Sequence, residues 1–365
     1  MPRPTPSAAE RRPGGAPDEA ATGSPVDGAA QPAVRRPARH GRRILALALA
    51  VVVLLLAVAA SLALGVRQLD PSAVWQALVA PVAGDRAHEI VLELRLPRTV
   101  IGLLAGVAFG LAGALIQGVT RNPIADPGLL GLNSGASLAV VLCIQLLGVP
   151  SPIGYVWFAF AGAAVAAVLV FAIGAARPDR LALVGAATTA LLTPLITLVL
   201  LGDQATFDQF RFWVVGSLTG RDLATAQVLW PFVAVGVVFA FALAHRLNGL
   251  ALGDDVARGL GQRVGTTRAA AAVAIVLLAG TATALAGPIV LIGLVVPHAA
   301  RRLVGTDARW VVAVSLVLGP ALLLVADVIG RLVAWPAELE AGVVAALIGA
   351  PVLIAVARSR SIAGV

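Results

Sequence analysis

The chain has 365 residues, 59% of them hydrophobic and only 13% charged, whereas a soluble domain carries roughly 25% charged residues; mean hydropathy is +0.93. Composition therefore excludes the two soluble domains that length alone suggests, and points to a chain solvated mostly by lipid. The net charge of +8 is not gathered on an aromatic-rich surface, so it fits membrane flanks and not nucleic acid.

Residues 1–43 are rich in Pro, Ala, Gly and Arg, with almost no large apolar side chains. They cannot bury enough surface to offset chain entropy and read as a disordered cytoplasmic tail. Residues 44–358 form the membrane domain, and 359–365 a short cytoplasmic C-terminal tail. Apolar segments lie at about 44–66, 99–118, 128–147, 153–175, 181–202, 226–245, 269–286, 288–298, 310–330 and 342–358. The fold class is all-α: a polytopic membrane protein of about ten transmembrane helices, one of them short or broken. The eighth segment is the short one, cut from the seventh by Gly287 and Pro288, a break that lipid tolerates only where protein or a cavity surrounds it.

An even number of crossings puts both termini on one side. With that side cytoplasmic, seven of the 27 arginines fall outside (Arg67, Arg86, Arg95, Arg98, Arg211, Arg221 and Arg331) and the other twenty inside, as the positive-inside rule requires. Segments two to five and seven to ten then run in opposite directions, which leaves room for an inverted repeat. Trp75, Trp157, Trp230, Trp310 and Trp335 sit near span ends and read as interfacial anchors.

In the second span, Gly102, Ala105, Gly106, Gly110, Gly113 and Ala114 recur at three- and four-residue spacing, which lets neighbouring helices approach and predicts a span buried in the bundle. The loop after it, RNPIADPG, reads as a firm corner, because Pro123 and Pro127 hold the preceding residues extended. Span five carries Thr188, Thr189, Thr193 and Thr197 around Pro194. Threonines can satisfy carbonyls freed by a proline, so this helix is either pathway-lining or simply packed. Between 248 and 265, Leu252, Val256, Leu260 and Val264 recur every four residues and predict an amphipathic stripe, with Asp254, Asp255, Arg258 and Arg263 facing water. Asp254 and Arg258 can pair at i, i+4, and Gly259 and Gly261 should divide the element into two short helices. Asp327 is the one carboxylate inside a span, and Arg331 one turn on is its expected partner.

Several chemistries are excluded. Every basic residue is Arg and none is Lys, which rules out a P-loop lysine, a Schiff-base lysine and a Ser-Lys dyad; ATP hydrolysis would have to come from another chain. Cys143 stands alone in an apolar run, so neither an internal disulfide nor a cysteine cluster can form. His40, His88, His245 and His298 are scattered, and no metal site is expected.

Five motifs stand one after another along the chain: Leu94 to Ala136, with its Arg-Leu-Pro-Arg step; FWVVGSLTG from Phe212; LALGDDVARGLG from Leu250; AGPIVLIGLVVPHAAR from Ala286; and ADVIGRLVAWPAELEAGVVAALIGAP from Ala326. In these the chain resembles the permease subunits of type II ABC importers, the family that carries iron-siderophores, haem and cobalamin. The resemblance covers nearly everything from 44 to 358; the long basic tail departs from the compact start of that family. It implies that Leu252, Gly253, Asp254, Asp255, Val256, Ala257, Arg258, Gly259, Leu260 and Gly261 form the coupling element that sits in a cleft of a partner ATPase. It implies too that Arg95, Arg98 and Arg331 meet acidic residues of an extracytoplasmic substrate-binding protein, in a plasma-membrane assembly with two ABC-type ATPase subunits and a second permease copy or paralogue. ATP and Mg would then be used by the ATPase, with no cofactor and no catalytic residue on this chain. On the residues alone, the 248–265 segment could instead lie on the lipid surface, and the arginines could snorkel to phosphates. The rival functions are an ion-gradient-driven secondary transporter, which needs more embedded acids than Asp327, and a membrane enzyme, for which no nucleophile–base or metal cluster stands out.

Overall fold

The computed structural model describes residues 37–149, 152–174 and 178–358, and every regular element among them is helical. In chain order these are α1 (Pro37–Ala63), α2 (Pro71–Val79), α3 (Arg86–Glu89), a π-helical turn (Ile90–Arg95), α4 (Leu96–Thr120), α5 (Leu132–Leu147), α6 (Pro152–Gly174), α7 (Pro178–Gly202), α8 (Gln204–Val214), α9 (Leu223–Ala251), α10 (Asp254–Gly259), α11 (Val264–Ala286), α12 (Ile292–Val304), α13 (Ala308–Val333) and α14 (Ala341–Arg358). Ten of them, α1, α4 to α7, α9 and α11 to α14, fall one for one on the ten apolar segments. Seven are long and apolar enough to cross a membrane on composition alone; α5, α12 and α14 are shorter.

The tail expected over 1–43 lies outside the described residues up to 36, but from Pro37 the chain is already helical. The boundary at 44 falls inside α1 because its polar first turns have partners: Arg43 donates to the Val304 carbonyl at 3.0 Å and lies 3.6 Å from the Asp307 carboxylate. Residues 359–365 lie outside the described residues.

α4 is the centre of the bundle. Its most apolar stretch is 78% buried, against 6% for α7. The small residues explain how: a side chain on Gly106 would strike the backbone of Gly319 and Pro320 in α13, and one on Gly113 would overlap the Gly293 carbonyl of α12. Two helices therefore meet α4 backbone to backbone, which is how helices associate where lipid removes the hydrophobic drive. At its start, Leu96 donates back to Val91, so the π-helical turn absorbs the place where Pro97 offers no N–H.

The alternating directions bring the start of α1, the loop after α4, the end of α9, α10 and the 305–307 turn to one end of the bundle. The end of α1, α2, α3 and the 334–340 segment share the opposite end. Gly287 (φ +78) and Leu291 (φ +71) bracket the break between α11 and α12 at the predicted position. Gly131 (φ +83) begins α5 as Leu291 begins α12, so the short helix of each set of four starts from a left-handed residue. Trp75, Trp157, Trp230 and Trp335 are exposed. Trp310 instead packs edge-on against His40 and under the Arg43 guanidinium.

Candidate functional site

At the α10 end, Gly253 turns the chain out of α9 with φ +104, a conformation only glycine adopts easily. The six-residue helix after it presents Val256, flanked by Leu252 before Gly253 and by Leu260 at the helix end, each about half exposed or more (49%, 64% and 64%), while Ala257 is buried beneath. Gly261 (φ +79) then closes it, with the Gln262 N–H reaching back to the Ala257 carbonyl at 2.9 Å, a Schellman-like end.

Three details differ from the sequence expectation. Val264 is buried because it already belongs to α11. One short helix forms in place of two, since the long span α11 begins only three residues after Gly261. Asp254 faces water only in part, its side chain 24% exposed: its Oδ1 accepts from Arg121 at 2.7 Å and from Arg268 at 3.0 Å, while the expected i, i+4 partner Arg258 stands at 3.9 Å and pairs more closely with exposed Asp255 at 2.8 Å. Asp254 thus ties α10 to the loop after α4 and to α11. Periodicity could not show this, because both partners are distant in sequence.

The RNPIADPG loop is the firm corner expected of it. Arg121 ends α4 in the left-handed region; the Asn122 side chain accepts from the Ile124 N–H, and that of Asp126 from the Gly128 N–H. Gln117 stitches the loop to α12 through the Ala125 and Gly293 carbonyls and accepts from Arg301.

At the opposite end the three expected docking arginines are buried and committed within the chain. Arg95 donates to the Leu62 and Ala63 carbonyls, both at 2.7 Å, and to Arg67. Arg98 forks onto Asp327, with Nε at 3.0 Å and Nη2 at 2.7 Å from Oδ1, and reaches Glu338 at 2.7 Å. Arg331 pairs with the same carboxylate, as its i, i+4 spacing predicted, and donates to the Ser61 and Leu64 carbonyls. The arginines close the bundle before they can meet anything outside. They do line a cavity of about 600 Å3, with Arg67, Arg221 and the part-exposed Glu338. Five arginines line it against the three carboxylates Glu93, Asp222 and Glu338, and buried Asp327 already holds Arg98 and Arg331, so the cavity keeps only a small positive excess toward an anion.

Between the two ends lies a larger cavity of about 820 Å3. Thr189, Thr193 and Thr197 line one wall from α7, facing Asn133, Ser134 and Ser137 of α5; Phe210 and Val214 of α8 close one side and Asp126 stands at the rim. Thr188 is not on this wall; it packs against Gly131. Thr188, Thr193 and Thr197 donate to the carbonyls of Val184, Thr189 and Thr193, and the Thr189 hydroxyl is buried with no hydrogen-bond partner among the described residues, so none of them serves the Ala190 carbonyl that Pro194 frees. Sequence reading missed α8, although Asp203 caps it through the Thr206 N–H at 2.8 Å and Phe207, Phe210 and Trp213 recur at helical spacing. It also missed the α5 polar face, which three small polar residues within five positions of an apolar run could have signalled.

Among the described residues no group of three or more His, Cys, Asp or Glu could hold a metal. The histidines lie apart: His88 accepts from the Val82 N–H, His245 meets Arg309, and His298 lies on α12.

Residues 53–359 match the FecCD transport family. The ferric enterobactin transport system permease protein FepD of Escherichia coli is 47% identical over 309 residues, 83% of this chain and 92% of that protein. The iron(3+)-hydroxamate import system permease protein FhuB of Bacillus subtilis is 37% identical over 303 residues, 82% of this chain and 79% of that protein. A solved structure described as an inward-facing conformation of a metal-chelate type ABC transporter matches with a TM-score of 0.75 at 25% identity, covering 85% of this chain and 98% of that one. Sequence, helix order and solved architecture agree, and the chain belongs to the FecCD transport family.

Proposed function

We propose that this chain is the membrane-spanning subunit of an ATP-driven importer for iron–siderophore complexes. The α10 end faces the cytosol, where two ATPase subunits each receive an α10. The opposite end faces out and receives a binding protein, and a second permease copy or paralogue completes the pathway. The observation that carries the reading is α10 itself. The segment from Leu252 to Leu260, with α10 at its centre, exposes three large apolar side chains, and a carboxylate bound by two arginines from other elements holds it in place. An unpartnered apolar stripe on a braced helix is built to lie in another protein's groove, and bracing passes motion of that helix to α4 and α11. The iron-chelate cargo rests on the relatives' names, with a cavity large enough for a bulky solute in support.

The arginines keep a role in docking, through the anion-favouring cavity they line. An acidic side chain of the binding protein would enter beside Glu338 and compete for Arg98. The test of the whole reading is reconstitution with a cognate ABC-type ATPase and extracytoplasmic binding protein. Uptake of ferric siderophore should require ATP and the ATPase, and uptake by this chain alone on a proton gradient would reassign it as a secondary transporter.

A further inference from the structure

On the outer surface of α6 and α11, apart from the cavities above, runs an open apolar groove of about 580 Å3. Its concavity comes from Ala167 facing Ala269 and Ala272, and its floor reaches buried Val119 of α4 and Leu181 of α7. Arg268 marks its polar end and Leu277 its apolar end. These stand about 14 Å apart along α11 at ~1.5 Å per residue. That is close to half the ~30 Å hydrocarbon core, the depth of one leaflet.

Among the residues whose side chains are described, the polar end carries an excess of positive charge: Arg121, Arg258 and Arg268 converge on Asp254, while the carboxylate of Asp255 is exposed beside Arg258. Arg268 spends Nη2 on Asp254, but its Nε is buried with no hydrogen-bond partner among the described residues. A donor left unpaired at the mouth of an apolar groove calls for an acceptor that arrives with an apolar tail.

We propose that this groove binds an anionic phospholipid, with one acyl chain between α6 and α11 and the phosphate on Arg268. Basic pockets between transmembrane helices at the membrane surface recognise such headgroups. The groove and its phosphate partner stand independently of the function proposed above. One consequence rests on it: a phosphate drawing Arg268 from Asp254 would loosen one of the two ties that brace α10.

The test uses the full-length chain in detergent, incubated with phosphatidylglycerol or phosphatidylcholine of the same acyl chains, with retained lipid counted by native mass spectrometry. Phosphatidylglycerol should be preferred by about five-fold, the share one arginine contributes near a membrane surface, and Arg268→Gln should bring the preference close to one. A photoactivatable phosphatidylglycerol should label α6 near Ala172 and α11 near Ala272 in the unaltered chain, which needs no variant to fold. Equal retention of the two lipids, an undiminished preference in Arg268→Gln, or labelling confined to other helices would overturn the proposal. So would displacement of phosphatidylglycerol by glycerol phosphate, which would mark a free-phosphate site, or burial of the groove by a second copy of the chain.

Discussion

Asp327 has no solvent exposure and holds two guanidiniums from opposite sides, one from α4 and one from its own helix. Breaking a buried pair by removing one partner leaves uncompensated charge and costs about 3–5 kcal/mol. Asp327→Asn should therefore lower thermal stability sharply in detergent, since it strands Arg98 and Arg331 together. Glu338 is different, because part of its side chain meets water and solvent screening weakens its pair with Arg98, which keeps Asp327 as its main partner. Glu338→Gln should leave the melting temperature nearly unchanged while releasing Nη1 of Arg98, and capture of the binding protein should tighten; weaker capture would mean that Glu338 itself makes the contact. Asp307 supplies a pH test. Burial raises its carboxyl, but the Asn248 amide, the Arg309 N–H and the nearby Arg43 and Arg309 charges outweigh this and hold it below its usual value. A depressed carboxylate stabilises the fold fully above the unfolded-state pKa of about 4 and loses that contribution as pH falls further. Asp307→Asn should flatten the fall in stability below about pH 4 that the parent shows.

At the scale of elements, legibility followed composition. The ten apolar runs gave ten helices, and the glycines of α4 foretold its central place, because both signals are local and repeat. Gly113 tests the second directly: a methyl there meets the Gly293 carbonyl, and overpacking of this kind costs about 1–3 kcal/mol. Gly113→Ala should lower stability, and Gly259→Ala, which meets nothing within 4 Å, should not. Less legible were α8, whose caps and aromatics hide in a polar stretch, and the role of the arginines. Arg95, Arg98 and Arg331 read as outward-facing because they flank spans, but groups more than 25 positions away in sequence absorb their donors: the carbonyls at the end of α1 for Arg95 and Arg331, and the Asp327 and Glu338 carboxylates for Arg98. The same blindness concealed the Asp254 hub, whose two nearest cations come from α11 and from the loop after α4.

For the molecule as a whole, each end of the bundle is locked by a carboxylate shared between arginines, and the cavity walled by α5 and α7 lies between the locks. α7 contributes one wall while most of its surface lies uncovered within the chain. If closure of an ATPase on α10 is what moves these helices, the contact at Val256 decides the matter. Cys143 is the chain's single cysteine and is buried. Val256→Cys in a Cys143→Ser background should therefore crosslink to the co-expressed ATPase and resist impermeant thiol reagents added outside intact cells. That crosslink should vanish when Leu252 and Leu260 are changed to Asp. Labelling of Val256→Cys from outside the cell, or an ATPase that binds the Asp variant unchanged, would contradict the coupling role of α10.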